Sequence, residues 1–186
     1  MDEVQKAAAG LFLAWCVNDA EEWFTLSDSQ KELINKVPSW VGLPDALRQR
    51  GTSKALARRG ILIMGGAFLA ASLAGVATHG RSPFFRGALL AFGLHGFAHL
   101  GASALKRGYT SGAITAATTV IPYWVWARGV LAQAGLKDFE KSTIPIALAG
   151  VPFLLGVHVL DFLMMGEDAL GELPGPVEES CVESED

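Results

Sequence analysis

The chain has 186 residues, of which 51% are hydrophobic and only 18% are charged, and its charges lie between long apolar runs. This distribution favours a single helical membrane domain. The formal net charge is -4. No compact basic face of the kind that binds nucleic acid is present, so we expect no nucleic-acid partner.

Five apolar segments, taken in chain order, predict an all-α, multi-pass membrane helix bundle. The first leads into a polar cluster, and the other four contain stretches without Asp, Glu, Lys or Arg. Each of these four is about long enough to cross a bilayer, which needs roughly 20 helical residues. We therefore expect spans at about 7–25, 60–80, 84–105, 110–130 and 143–165, within a transmembrane domain of residues 1–166.

The loop between the first two spans contains a pattern that can begin a helix. Ser29 and Glu32 have the spacing of a capping box, and apolar residues follow them. The pattern is consistent with a short interfacial helix ending at Val37, or with a solvated loop.

The basic residues predict the orientation of the bundle. Nine Lys and Arg residues lie on the side of this loop and six on the other side. By the positive-inside rule, the N-terminus is then outside and the C-terminal tail is cytoplasmic. The tail, residues 167–186, is acidic and has no Lys or Arg, so we expect it to be disordered.

A cluster of acids ends the first predicted span. Asn18, Glu21 and Glu22 stand at i, i+3 and i+4 and project from one side of a helix, whereas Asp19 is turned away. If this turn is buried, we expect at least one carboxyl group to be protonated or bound to a cation. If the turn emerges into the headgroups, the acids are simply solvated.

Two histidines near the middle of the third span form a second cluster. His95 and His99 are four residues apart, so their rings leave the same helix face. Ionisable residues at membrane depth usually mark a site. The pair can supply two ligands to zinc or iron, or one ring can act as a general acid or base while the other positions it. A structural role, with both rings bonded to helix carbonyls or Ser103, stays open.

The fifth span carries a third polar pair. His158 and Asp161 stand at i and i+3, where a carboxylate can fix the tautomer of an imidazole. If the spans alternate in direction, the ends of spans one, three and five share one side of the membrane. Glu21, Glu22 and His99 then lie at a depth comparable to that of Asp161.

These residues also carry a family resemblance. The first part of the match is Asn18-Asp19-Ala20-Glu21-Glu22-Trp23, followed by Pro38-Ser39-Trp40. The second part is His99 with Ser103, Arg107, Tyr109, Ser111 and Gly112. Together they resemble the HXXEE-motif family of small membrane proteins.

The resemblance implies that Glu21, Glu22 and His99 are site residues, with Arg107 and Tyr109 in support. Two positions depart from the family pattern, because Asn18 stands where the family has His and Ser111 where it usually has Pro. Asn is neutral and a poor ligand for transition metals, so a His-dependent role does not carry over to position 18.

Three functional hypotheses follow from these residues. The first is a membrane enzyme for isomerisation, cyclisation or epoxide opening of a hydrophobic small molecule or lipid. In it Glu21 or Glu22 donates a proton, His99 is the partner base, Asn18 orients a substrate oxygen, and no cofactor is required. The second is a metal-dependent membrane enzyme that binds zinc or iron through His95, His99 and one or both glutamates. The third is a non-enzymatic binding or transport-accessory protein.

Overall fold

The computed structural model of the protein describes residues 1–172. Within that range the secondary structure is helical, apart from one isolated bridge between Thr52 and Leu170. The α-helices are α1 (Glu3–Lys36), α2 (Asp45–Arg50), α3 (Lys54–Ala77), α4 (Pro83–Lys106), α5 (Ala113–Thr115), α6 (Ile121–Gln133) and α7 (Ile144–Met165). A π-helical segment, Ala116–Val120, joins α5 to α6, and short 3-10 turns lie at Ser39–Val41 and Gly166–Ala169.

Three helices are long and apolar enough to cross a membrane, namely α3, α4 and Ile144–Ala169. These three helices support the prediction of a membrane protein. They correspond to three of the five predicted spans. The first predicted span lies inside α1, which carries several charges along its 34 residues. The fourth coincides with α5, the π-helical segment and α6, so it is not one continuous α-helix.

Helix α1 is longer than the first predicted span. It begins at an Asp2 capping box with Gln5 and ends at the cap residue Val37. The Gln5 backbone N–H and the His79 ring hold the pKa of the Asp2 carboxyl below its usual value. The expected short helix from Ser29 is the last part of this same helix. Instead of capping a helix, the Ser29 hydroxyl accepts a hydrogen bond from the Ser111 N–H at 3.0 Å.

Small residues allow α1 and α3 to pack closely. The Ser72 hydroxyl donates to the carbonyl of Ala8 at 2.6 Å, and Gly65 lies against the ring of Trp15. A series of aromatic contacts extends this core to α4 and α6 through Phe12, Trp15, Phe68, Phe92 and Tyr123. Close contact of this kind is typical of helices that pack within a bilayer.

We expect Gly65→Ala to destabilise the bundle, because a Cβ atom there would lie 2.6 Å from Cη2 of Trp15. Overpacking of a tight interface costs about 1–3 kcal/mol. The matched control is Gly66→Ala, since no atom lies within 4 Å of its Cβ position. Thermal unfolding in detergent measures the difference. Equal melting temperatures for the two variants would contradict the packing argument.

Helices α4 and α7 pack side by side and run in the same direction. A Cβ atom at Gly87 would lie 2.7 Å from Cβ of Ile146, and one at Gly150 would lie 4.0 Å from Cβ of Ala91. Both contacts join residues 59 positions apart. Each α7 residue therefore lies level with the α4 residue whose number is 59 lower.

The first residues of the predicted tail contact the segment before α3. The Gly171 N–H donates to the Gly51 carbonyl at 3.0 Å, and Arg50 binds both the Gly171 carbonyl and the Glu167 carboxylate. These contacts hold the chain after α7 against the segment before α3. The rest of the predicted disordered tail lies outside the described residues.

Candidate metal centre

Helix α1 places two polar side chains in the interior of the bundle. Asn18 is fully buried and Glu22 is 6% exposed. They lie one turn apart, and Asn18 Nδ2 donates a hydrogen bond to Glu22 Oε1 at 2.8 Å. The carboxylate is thereby held in one orientation inside the bundle.

Helix α4 brings both of its histidines to the same carboxylate oxygen. Nε2 of His99 lies 3.0 Å from Glu22 Oε1, and Nε2 of His95 lies 3.7 Å from it. The two Nε2 atoms are 2.7 Å apart. Glu22, His95 and His99 therefore form a group whose ligand atoms lie within 4.8 Å of one another, close enough to hold a metal ion.

A single two-centre hydrogen bond cannot serve both contacts of His99 Nε2. A ring nitrogen presents either one proton or one lone pair in the plane of the ring. Nε2 of His99 can thus pair with Nε2 of His95 or with Glu22 Oε1, but not with both. A cation among the three atoms could accept a lone pair from each of them, so the group is a candidate metal site.

The segment after α4 covers this cluster with backbone. Gly112 has φ +77°, and a Cβ atom there would lie 2.6 Å from Cε1 of His99 and 2.8 Å from Glu22 Oε1. Hydroxyl groups of α1 hold the segment in place, since Thr25 Oγ1 is 2.7 Å from Ser111 Oγ and Ser29 Oγ accepts the Ser111 N–H. Only glycine fits at position 112 without displacing a site residue.

The backbone at this position also faces the other nitrogen of His99. A Cβ atom at Gly112 would lie 2.9 Å from His99 Nδ1. A histidine that ligates a metal commonly donates its second N–H to a backbone carbonyl, which leaves the lone pair on the ligating nitrogen. The covering segment lies on the side of this second nitrogen.

Glu21 lies beside the cluster and makes a different set of contacts. Tyr109 donates its hydroxyl to Glu21 Oε1 at 2.7 Å, and the Thr115 N–H and hydroxyl lie 2.8 Å and 2.6 Å from Oε2. Both carboxylate oxygens are thereby engaged. In this structure Glu21 ties the segment after α4 to α1, whereas Glu22 faces the histidines.

Two residues of this arrangement are absent from the sequence-based candidates, Thr25 and Thr115. Both are uncharged, so the search for ionisable groups in apolar spans passes over them. Thr115 lies immediately before the π-helical segment Ala116–Val120. Such segments occur frequently at functional sites and could have drawn attention to it, but they are not recognisable from sequence pattern.

The other predicted site residues lie outside the cluster. Asp161 Oδ1 accepts from Nη2 and Nε of Arg59 at 2.8 Å and 3.2 Å, and among the described residues no hydrogen bond joins it to His158. Arg59 thus takes the place expected for the imidazole. Arg107 ends α4 with φ +55°, and Tyr109 contributes through Glu21.

Comparison with known protein families identifies a match. A family described as "protein of unknown function with HXXEE motif" matches residues 9–127, which is more than half of the chain. The matched region contains all three residues of the candidate metal centre. No curated protein and no solved structure matches.

Proposed function

This chain belongs to the HXXEE family, and from that premise and the site geometry we propose that it is a membrane metalloenzyme. Glu22, His95 and His99 are the ligands, and the metal is zinc or iron. The observation that carries the proposal is the convergence of one carboxylate oxygen and two imidazole nitrogens from two packed helices.

The ligand set supports this choice of metal. Two imidazoles with one carboxylate bind zinc in several hydrolases and iron(II) in non-haem oxygenases, and both kinds of site keep positions open for substrate or water. Such an ion polarises a substrate oxygen or activates a bound water. Polarising a substrate oxygen lowers the barrier to isomerisation, cyclisation and epoxide opening.

Asn18 and Glu21 have supporting roles in this proposal. Asn18, which stands at the first position of the family motif, orients Glu22 through its amide N–H. Glu21 holds the segment that covers the site. Groups that orient metal ligands typically contribute about 10–100-fold to metal affinity.

The exposure of the site supports a hydrophobic small molecule or lipid as substrate. The His95 side chain is 44% exposed, against 13% for His99 and 8% for Glu22, so the cluster opens on the His95 side. His95 lies at the middle of a helix long enough to cross the membrane, and its neighbours Leu94 and Phe97 are exposed. A molecule dissolved in the bilayer reaches such an opening directly.

The test is elemental analysis of the protein purified in detergent. We expect about one zinc or iron ion per chain, and its loss from the double variant His95→Ala with His99→Ala. His79→Ala is the matched control, because His79 pairs with Asp2 at the other end of the bundle. Absence of metal from the unmodified protein, or its retention in the double variant, would overturn the proposal.

A second candidate is metal-free acid/base catalysis, favoured by the 3.0 Å approach of His99 Nε2 to Glu22 Oε1. A proton shared by these two groups serves proton transfer to an apolar substrate. The same analysis separates the candidates, because metal-free protein that still turns over a substrate supports this one.

A further inference from the structure

We propose that His158 hydrogen-bonds the molecule that occupies the open position of the metal centre. This inference rests on the proposed metal function. It assigns His158 a role outside the ligand set, as the polar group that α7 contributes to the site.

The absence of a side chain at Gly60 leaves room for the ring of His158 against α3. A Cβ atom at Gly60 would lie 2.5 Å from Cε1 of His158, and 3.2 Å and 3.3 Å from its two nitrogens. Glycine inside a helix is disfavoured by about 1 kcal/mol relative to alanine. The glycine at position 60 therefore has a packing reason, which is to let an imidazole approach the α3 backbone.

The register of α4 and α7 places this ring at the level of the metal centre. The Gly87–Ile146 and Ala91–Gly150 contacts both join positions 59 residues apart. The same offset pairs His99 with His158. The His158 ring is half-buried at this level.

His158 is nevertheless not one of the three ligands, because it is absent from the group whose ligand atoms all lie within 4.8 Å of one another. A molecule bound to the ion places its first atom about 2 Å from the metal. A further hydrogen bond adds about 2.7–3.2 Å. A residue at the level of the centre but outside the ligand group is thus suited to contact the bound molecule instead of the ion.

Asp161, a buried residue of α7, is paired with Arg59. It is 3% exposed and bound to Arg59 through Oδ1, while Oδ2 has no hydrogen-bond partner within residues 1–172. The carboxylate stands one turn from His158 on the same face of α7.

The experiment uses the full chain in detergent, with Co²⁺ as the metal and azide as the bound molecule. Visible absorption of the Co²⁺ site gives both the Co²⁺ affinity and the azide affinity. We expect His158→Ala to keep Co²⁺ affinity within about threefold and to weaken azide about five- to tenfold, the effect of one lost hydrogen bond.

Further variants separate the loss of this contact from misfolding. Gly60→Ala displaces the ring without removing it and is expected to weaken azide to a similar degree, whereas Gly66→Ala, with open space at its Cβ position, is expected to leave azide binding unchanged. His158→Gln retains a hydrogen-bonding side chain and is expected to recover part of the azide affinity.

The outcomes distinguish the two proposals. Unchanged azide affinity in His158→Ala would overturn this inference alone. Loss of Co²⁺ from His158→Ala would also overturn it, because His158 would then be a ligand. Failure of the unmodified protein to bind Co²⁺ would overturn the proposed function, and this inference with it.

Discussion

Replacing Gly112 with Ala is expected to abolish metal binding while leaving the helical bundle folded. The backbone at this position has φ +77°, which strains any residue with a Cβ atom. That atom would also lie 2.6 Å from Cε1 of His99 and 2.8 Å from Glu22 Oε1. Because either side chain must move, we expect metal affinity to fall at least about 100-fold, the upper end of the effect of disturbing ligand orientation.

The matched control for this variant lies in the same segment. Gly108→Ala introduces the same methyl group where no atom lies within 4 Å, so it is expected to bind metal like the unmodified protein. Zinc titration and thermal unfolding with and without zinc report the difference, since a ligand that binds only the folded state raises its stability. Equal zinc affinities for the two variants would show that the segment does not close the site.

Glu22→Gln is expected to have a comparably large effect on metal affinity. The substitution keeps the shape of the side chain but replaces a charged ligand oxygen with a neutral amide. The two histidines then hold the ion without charge compensation. We expect at least about a 100-fold loss of affinity and loss of the thermal stabilisation by zinc.

Glu21→Gln tests the division of roles between the adjacent glutamates. Its amide oxygen can still accept a hydrogen bond from Thr115, and the residue does not face the histidines. We expect its metal affinity to fall by no more than about tenfold. Equal losses in the two variants would contradict the assignment of Glu22 as ligand and Glu21 as the residue that holds the covering segment.

Most of the helical bundle follows from the sequence. The places where the structure differs from the prediction have local causes. The apolar runs predict α3, α4 and α7 because an uncharged stretch of that length is stable as a helix in lipid. The length of α1 was not predicted, since Ser29 matches a helix-start pattern but serves as a hydrogen-bond acceptor for Ser111. The interruption before α6 was also missed, because a π-helical turn leaves no periodic signal.

The candidate site is predictable where its residues share a helix. Spacing alone places His95 with His99 and Asn18 with Glu22, because residues four apart lie on one helix face. Spacing does not say which of two neighbouring glutamates faces α4. That choice depends on the rotation of α1 in the bundle, which close packing of α1 against α3 determines.

The sequence by itself determined the helical membrane character, the family and the two pairs of polar residues, because these depend on composition and on contacts within one helix. Tertiary structure alone decided that Glu22 meets both histidines, that Gly112 covers them and that Gly60 accommodates His158. The physical reason is that these contacts join residues far apart in the chain. Their formation depends on helix rotation and register, which arise from the packing of the whole bundle.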